Sequence, residues 1–174
     1  LRLRGAATRS EGKITEFRDG YRKYIGRGYL MLVAKKHPKE KDRVEALKAL
    51  ELLDTINEKE FDEITYLASQ ICNTPIALFS LVDEDRQWFK SNRGCNLNQT
   101  SRDISFCSHT ILVEDVFCVS NAKTDGRFFD NPLVTSEPNL QFYAGIAIHD
   151  PSTQLPIGTL CVMDNKPNQI NESQ

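Results

Sequence analysis

An almost unbroken apolar run lies in the middle of the chain. The segment IALFSLVD, residues 76–83, follows Pro75 and is apolar nearly throughout, as expected of a central, buried strand. The acidic residues 83–85 are typical of a turn, and RQWFKSN is predicted to return beside the first strand as its hairpin partner. The chain is therefore predicted to build its core around a sheet that contains an antiparallel hairpin.

Three further strands are predicted after this hairpin. A polar loop over 93–104 separates it from a short strand at 117–121, FCVSN. The last two strands, from about 140 to 148 and from 155 to 164, flank a turn at Asp150-Pro-Ser-Thr. Hairpin-like spacing at both ends of this series predicts a mainly antiparallel sheet.

Two helices are predicted ahead of the sheet. Apolar residues recur every three positions within 40–54, and Asn57 is predicted to cap a second helix that runs to about residue 72. The apolar side chains are Val44, Leu47, Leu50 and Leu53 in the first helix and Phe61, Ile64, Leu67 and Ile71 in the second. Helices on one face of an antiparallel sheet define an α+β fold. The paired apolar stripes over 42–72 also predict dimerisation.

The charge of the chain is distributed unevenly. Residues 1–41 carry 12 Lys/Arg and 4 Asp/Glu, whereas the rest of the chain carries 10 and 20. The sequence is therefore divided into a basic arm or linker over 1–38, with no assigned role, and a folded domain over 39–174. No basic stripe interleaved with aromatic residues occurs in the acidic part, which argues against nucleic acid as a ligand of the domain.

Neither a membrane span nor a secretion signal is visible in the sequence. No apolar run approaches the ~20 residues that a spanning helix needs. The first residues, LRLRGAATRSEG, lack the apolar core of a secretory signal. Five cysteines at irregular spacings, without C-x-x-C, argue against a disulfide framework and a zinc ribbon. These features predict a cytoplasmic protein.

The segment SRDISFCSHTI, residues 101–111, brings a cysteine and a histidine close together in sequence. Ser105 is predicted to cap a short helix in which Cys107 and His109 lie about 200° apart, so they cannot form an ion pair there. On a strand the same two side chains would share a face. The cap favours the helix, with Cys107 packed and His109 available at the helix edge. A redox or nucleophilic cysteine and a metal ligand are the alternatives.

No catalytic motif accompanies this cysteine. The chain lacks G-x-G-x-x-G, Walker A, H-E-x-x-H, G-x-S-x-G and kinase motifs. Its three histidines, His37, His109 and His149, are dispersed, and His149 is predicted at the exposed end of a strand. The chain itself is therefore predicted not to be an enzyme, with no metal site and no identifiable cofactor.

Six ordered motifs resemble one subgroup of GAF domains. They are SRDISFCSHTI (101–111), VSNA (119–122), DGRF (125–128), NPLV (131–134), FYAG (142–145) and IGTLCVMD (157–164). The lead-in RVEALKALELLDTINEKEFDEITYLAS is similar as well, so that the resemblance covers about 42–167. It implies a GAF/PAS-like fold: a central antiparallel sheet of five or six strands, helices packed on one face, and loops and short helices closing a pocket on the other.

The resemblance implies a regulatory domain that senses a small molecule. Such domains usually precede a diguanylate cyclase, a phosphodiesterase or a sensor histidine kinase, and they form homodimers through their flanking helices. The output domain would be covalently joined, and the closing helix that leads to it would begin where this chain stops at Gln174. Carried over by motif, the residues implied to face the ligand are Arg102, Cys107, His109, Arg127, Phe128, Asn131 and Tyr143.

The chain departs from the subgroup at two positions. Gln141 replaces an arginine before FYAG, which removes a cation, and Ser108 separates Cys107 from His109, which argues against bilin attachment. Two alternative functions remain open. One is a thiol-dependent reductase, similar to the free methionine sulfoxide reductases, that would use Cys107 with Cys95 or Cys118. The other is a structural dimerisation domain whose cavity is filled by its own side chains.

Overall fold

The computed structural model describes residues 16–17, 20–25, 29–171 and 173–174. Its strands are β1 (Glu16–Phe17), β2 (Gly20–Ile25), β3 (Tyr29–Val33), β4 (Ile76–Val82), β5 (Arg86–Arg93), β6 (Gln99–Ser101), β7 (Phe117–Val119), β8 (Phe142–His149) and β9 (Pro156–Asp164). Its helices are α1 (Glu40–Ala49), α2 (Lys59–Ile71), α3 (Cys107–Thr110) and α4 (Pro132–Thr135), with a 3₁₀ turn at Arg102–Ile104.

Six strands form one antiparallel sheet in the order β6-β5-β4-β9-β8-β7. The predicted hairpins are both present: β4 pairs with β5, and β8 pairs with β9. The apolar segment of β4 is central, because β9 pairs with its other edge. The α+β class with an antiparallel sheet of five or six strands is confirmed.

The helices α1 and α2 pack on one face of this sheet. Leu47 of α1 lies in a cluster with Phe79 and Leu81 of β4, and the Phe61 ring of α2 meets the Phe79 ring edge-on at 4.7 Å. Further along the same face, Ala144 of β8 belongs to a second buried cluster. We call this surface the α2 face.

The opposite surface is covered by α3, α4 and the segments around them. Leu78 and Val82, which alternate with Phe79 and Leu81 along β4, point to this side. They pack in a cluster with Cys107 at the start of α3 and with Tyr143 of β8. We call this surface the α3 face.

The two lead-in helices are shorter than predicted. The first ends at Ala49 rather than at residue 54, and positive φ angles at Glu51 (52°) and Asp54 (60°) are incompatible with a continuing helix. The second begins at Lys59 after an extended Glu58, and no side chain caps it, so the predicted cap at Asn57 is wrong.

One strand and a second sheet lie where no strand was predicted. The strand β6 occupies part of the predicted polar loop over 93–104. Within 1–38, β1, β2 and β3 form an antiparallel sheet. Arg22 and Lys23 of β2 pair with Asp130 (2.9 Å) and Asp103 (2.7 Å), which attaches this sheet to the α3 side of the molecule.

Several predictions concern residues outside the described part of the chain. The absence of a secretion signal was read from residues 1–12, which the structure does not describe. The division into an arm over 1–38 and a domain over 39–174 stays a prediction. In the part of the chain that the structure describes, no helix combines the length and apolar character needed to cross a membrane.

Candidate functional site

Aromatic rings form a continuous cluster on the α3 face. The Phe106 ring stacks on the Phe128 ring, with 4.0 Å between centroids and 12° between planes. It also lies 5.3 Å from the ring of Tyr143. All three side chains are buried. Ring pairs of this kind contribute roughly 0.5–1.5 kcal/mol beyond the burial of their area, so they hold the segment between β7 and β8 against the sheet.

His109 and Arg127 extend this cluster to its rim. The His109 ring lies 5.0 Å from the Phe128 ring, and the Arg127 guanidinium lies 4.8 Å from the centroid of Phe117. Two hydrogen bonds, of 2.9 and 2.6 Å, join Arg127 to the Asp125 carboxylate. Burial and the charge of Arg127 lower the pKa of His109 to about 4, so the imidazole is neutral at neutral pH.

Cys107 lies in a buried polar cluster beside the rings. The Tyr143 hydroxyl donates a hydrogen bond to its sulfur at 3.3 Å, and the Gln87 amide donates another at 3.2 Å. The hydroxyls of Tyr143 and Thr110 share a hydrogen bond of 2.7 Å. The Cys161 sulfur of β9 is 3.8 Å away. Four elements of the fold therefore meet at this thiol.

A glycine makes room for the polar cluster. A Cβ atom at Gly145 of β8 would lie 2.5 Å from the Tyr143 hydroxyl and 3.0 Å from the Cβ of Cys161. Because real Cβ atoms do not approach that closely, any larger residue at this position would displace the tyrosine or the strand. Close packing against Tyr143 and Cys161 therefore explains the glycine of the FYAG motif.

Asn131 and Ser105 fix the ends of short elements beside the cluster. The Asn131 side chain accepts a hydrogen bond from the Leu133 backbone and caps α4, while its amide donates to the Ile104 carbonyl at 3.0 Å. The Ser105 hydroxyl accepts from the Ser108 backbone N–H at 3.2 Å, but the cap residue of α3 is Phe106, one position after the predicted cap at Ser105. Both polar side chains are buried, and both form hydrogen bonds to backbone groups.

Arg102 lies apart from the other six candidate residues. Its guanidinium donates to both carboxylate oxygens of Glu40 in α1, at 2.5 and 3.1 Å, and to the Asp83 carbonyl at 2.8 Å. It lines a separate polar cavity of about 320 Å³ between the 3₁₀ turn and β2. Arg102 therefore lines a different cavity from Cys107 and Tyr143, and its implied contact with a ligand stays a prediction.

The two faces of the sheet enclose very different cavities. The cavity on the α3 face has a volume of about 40 Å³, which is too small for a metabolite and comparable with one water molecule. The groove on the α2 face measures about 550 Å³. Its walls include exposed apolar side chains of α2 and β8, namely Ile64, Leu67, Ile71 and Ile146.

The candidates reach this arrangement partly as predicted. Cys107 and His109 have different neighbours, as expected of a helix, and the thiol packs in the core. His109, however, is only 5% exposed and is enclosed by rings, so its predicted place at an accessible helix edge is wrong. His149 is exposed at the end of its strand, as predicted.

Residues missed by the sequence reasoning complete the cluster. Gln87, Phe106 and Cys161 contact the candidates but were not among them. The period-two alternation along β5 and β9 could have identified Gln87 and Cys161 as inward-facing. The reductase alternative paired Cys107 with Cys95 or Cys118, whereas its sulfur neighbour is Cys161.

The subgroup departure at Gln141 lies outside the ring cluster. Its side-chain amide donates to the Asn165 carbonyl at 2.6 Å, and the residue is half-buried. Within the described residues, no group of three or more His, Cys, Asp or Glu side chains is placed to hold a metal ion. All five cysteines are free thiols.

Comparisons with known proteins agree with this architecture. The family model of the GAF domain matches residues 57–174. A cyclic di-GMP phosphodiesterase of Pseudomonas aeruginosa is 43% identical over 118 residues, which are 68% of this chain and 20% of that protein. The chain therefore spans about a fifth of the length of this curated relative.

Two solved structures show the same fold at low sequence identity. A GAF domain of a phosphoenolpyruvate-protein phosphotransferase from Coxiella burnetii is 12% identical, with a TM-score of 0.53, over 76% of this chain and 83% of that one. A type II free methionine-R-sulfoxide reductase from Thermoplasma acidophilum is 13% identical, with a TM-score of 0.51, over 65% and 77%.

Proposed function

The chain belongs to the GAF family of regulatory sensing domains in signalling proteins, and we propose that it controls the turnover of cyclic di-GMP by a covalently joined domain. The observation that carries this proposal is the 43% identity to a cyclic di-GMP phosphodiesterase over most of the chain. That relative favours a phosphodiesterase as the output over a diguanylate cyclase or a histidine kinase. Free thiols throughout fit a cytoplasmic location, where disulfides are rare.

The ligand site that we propose is the α3 face. Phe128 and Tyr143 fill this face, so a small-molecule ligand must displace part of the ring cluster to bind. The ion pair of Arg127 with Asp125 stands at the rim and would have to open first. A ligand that binds only the open arrangement shifts the balance between two states, which is the requirement for a switch.

The strand β8 offers a route from this site to the other face. Tyr143 contacts the thiol cluster, while the next residue, Ala144, lines the groove beside α2. Because side chains alternate along a strand, a shift of β8 that follows ligand binding would move side chains on both faces of the sheet. We infer that the α2 face passes the signal to the partner or output domain.

A second copy of the chain is the occupant that we propose for this groove. The groove is lined by apolar or uncharged residues, so two copies of it can face each other without like-charge repulsion. The exposed apolar stripe of α2, formed by Ile64, Leu67 and Ile71, is available for such a contact. Val44 and Leu47 of α1, in contrast, are already buried in their own domain. The proposed dimer therefore uses α2 rather than the whole of 42–72.

A chimera tests the regulatory function. Residues 57–174 replace the matched region of the Pseudomonas aeruginosa relative, and hydrolysis of cyclic di-GMP is measured. We expect the chimera to hydrolyse cyclic di-GMP, and Arg127→Ala, which opens the rim of the α3 face, to change the rate roughly fivefold or more, as typical for couplings between sites. If the chimera is active and Arg127→Ala leaves its rate of cyclic di-GMP hydrolysis unchanged, the α3 face does not regulate the output domain.

A matched control distinguishes this effect from the loss of any arginine. Arg93 also lies over an aromatic ring, 4.8 Å from the centroid of Tyr66, but on the side of α2. Arg93→Ala should leave the hydrolysis rate of the chimera unchanged. An equal change in both variants would show a nonspecific effect and count against the proposed site.

The small cavity of the α3 face favours one alternative function. A structural dimerisation domain needs no ligand, and a cavity of about 40 Å³ holds none of metabolite size. Native mass spectrometry of the freshly purified chain separates the two functions. A bound mass of a few hundred daltons supports sensing, and a ligand-free dimer in every preparation supports the structural function.

A further inference from the structure

Two thiols from distant parts of the chain meet at the centre of the α3 face. Cys107 begins α3 and Cys161 lies on β9, and their sulfur atoms are 3.8 Å apart. They are 2% and 1% exposed. The other cysteines, Cys72, Cys95 and Cys118, are partly or fully exposed. The buried pair is thus placed for a reaction with each other.

The surroundings of the two thiols are chemically unequal. Burial raises the pKa of the Cys107 thiol, but hydrogen bonds, chiefly from Cys161 and with smaller contributions from hydroxyl groups, outweigh it and lower the pKa to about 6. The hydrogen bond to Cys107 and burial raise the pKa of Cys161. The contact between the two sulfur atoms therefore favours the thiolate form at Cys107 rather than at Cys161, and the thiolate is the nucleophilic form.

Two fully buried hydroxyls lie beside the Cys107 thiol. Ser80 of β4 and Thr159 of β9 are both 0% exposed, and neither hydroxyl has a well-directed hydrogen-bond partner in the described part of the chain. Both contribute to the low pKa of Cys107. Buried hydroxyls without a well-directed partner are uncommon, and here both lie beside the sulfur of Cys107.

The small cavity of the α3 face reaches this thiol. Cys107, Gln87 and Tyr143 line it, together with Thr100, whose hydroxyl is buried without a partner among the described residues. A volume of about 40 Å³ admits a molecule the size of water or hydrogen peroxide but no larger metabolite. The cavity therefore admits only a very small reactant.

We propose that Cys107 is a peroxide-reactive residue and that Cys161 resolves it, forming a disulfide that joins α3 to β9. This inference does not depend on the ligand or on the output proposed above. It replaces Cys95 and Cys118 as partners of Cys107 in any thiol chemistry of the chain.

The reaction balances in two steps. The Cys107 thiolate attacks one oxygen of hydrogen peroxide, the O–O bond breaks, and the hydroxide that leaves takes the proton that Cys107 released on ionising, which forms water. The product is a sulfenic acid on Cys107. The sulfur of Cys161 then attacks it, the S–O bond breaks, and the departing hydroxide takes the Cys161 proton as a second water. Each sulfur loses one electron, and one peroxide is reduced.

Disulfide formation would lock the α3 face. The two sulfur atoms must approach from 3.8 Å to the roughly 2 Å of a disulfide bond, which draws α3 towards β9. Tyr143 would lose a thiolate as its hydrogen-bond acceptor. A crosslink between residues 54 positions apart also restricts the unfolded chain, so the oxidised form should melt at a higher temperature by roughly 5 °C or more.

Peptide mapping of the unmodified sequence tests the assignment directly. The folded chain is treated with one equivalent of hydrogen peroxide and digested without reduction, and the fragments are identified by mass spectrometry. We expect Cys107 and Cys161 in one linked fragment, two hydrogens lighter than the separate thiols, and a rise in melting temperature that dithiothreitol reverses. Crosslinks that involve Cys72, Cys95 or Cys118 in equal yield would overturn the proposal.

Two variants assign the roles of the sulfur atoms. In Cys161→Ser the sulfenic acid on Cys107 cannot be resolved, so dimedone should label Cys107. In Cys107→Ser, Cys161 should stay unlabelled. Cys118→Ser, which removes an exposed thiol, is the matched control and should leave the linked fragment unchanged. Labelling of Cys118 with none on Cys107 would sink the proposal, and the mapping of the unsubstituted chain decides it even where a variant fails to fold.

Discussion

The two faces of the central sheet differ in how completely the chain covers their apolar side chains. On the α3 face, rings such as Phe106 and Phe128 stack until about 40 Å³ of cavity is left. On the α2 face, a groove of about 550 Å³ stays open beside residues such as Leu67, which is 55% exposed. One apolar surface is covered by the chain itself, and the other surface is left for something else to cover.

The sheet order explains this difference. On the α2 face, α1 and α2 lie over β4, β5 and part of β9, while β8 and the near part of β9 face the groove. On the α3 face, the long connection between β7 and β8 packs over β4, β5, β8 and β9. Large exposed apolar patches mark interaction sites in soluble proteins. This comparison supports our proposal that the α3 face recognises a ligand and that the α2 face makes a protein contact.

The largest expected effect concerns the packed face. Phe128→Ala removes a fully buried ring that stacks on Phe106, and such truncations typically cost about 3–5 kcal/mol of the free energy of unfolding. The neighbouring Phe129 is 47% exposed, so Phe129→Ala should cost less than about 1 kcal/mol. Urea unfolding of both variants measures the contrast. Equal losses would mean that the α3 face is not closed by its rings.

A smaller effect is expected where a charge cluster connects the two faces. Glu40 of α1 accepts hydrogen bonds from Arg43 at 2.6 Å and from Arg102 of the 3₁₀ turn at 2.5 Å. Burial opposes ionisation of this carboxyl, but the two arginines outweigh burial and lower the pKa of Glu40 from 4.5 to about 2. Glu40→Gln should destabilise the fold by about 1–3 kcal/mol at pH 7, as for other hydrogen bonds to charged groups.

The same carboxyl predicts how this loss depends on pH. Because the pKa of Glu40 in the folded state is below its ordinary value of 4.5, its contribution to stability is complete above that pH and is lost as the pH falls towards 2. The difference between the Glu40→Gln variant and the original chain, measured by urea unfolding, should therefore shrink between pH 4.5 and pH 2. A difference that stays constant across this range would exclude the linkage.

An exposed glutamate in the same helix is the control for this pair of measurements. Glu45 is 67% exposed and lies 3.9 Å from Lys41. Glu45→Gln should change the free energy of unfolding by no more than about 0.5 kcal/mol at any of these pH values, because exposed ion pairs contribute little.

Much of the fold follows from patterns that are local in sequence. The apolar run at 76–83 predicts β4 because a strand buried on both faces has no polar side, and the turn at 150–153 predicts the β8–β9 hairpin. The helix ends were less accurate, since the positive φ angles at Glu51 and Asp54 are not visible in apolar spacing. The strands within 1–38 have no regular period and were missed.

The candidate site was predicted only as a set of neighbours. The motifs bring Cys107, His109 and Tyr143 to one face, as expected from their order. Whether that face is open depends on contacts between distant residues, such as the Phe106–Phe128 stack, which no local pattern reveals. Arg102 shares a motif with Cys107 but turns to Glu40 instead, because a buried cation requires an anionic partner.

The smallest effect on folding stability, and the sharpest test of the open face, is expected from Leu67→Glu. Leu67 is exposed on α2 in a groove without charged lining residues, so a carboxylate there should cost a monomer no more than about 0.5 kcal/mol of folding free energy. A dimer built on the groove would bury two such charges and should weaken at least tenfold. Analytical ultracentrifugation of the original chain and of the variant measures this difference.

Ile56→Glu supplies the matched control, because Ile56 is 84% exposed and does not line the groove. If a second copy covers the α2 face, the original chain and Ile56→Glu sediment as dimers and Leu67→Glu as a monomer. If all three are monomers at every concentration, the groove has no second copy as its occupant. We would then expect the exposed side chains Ile64, Leu67 and Ile71 of α2 to bind a different polypeptide, because burial of apolar surface from water is favourable.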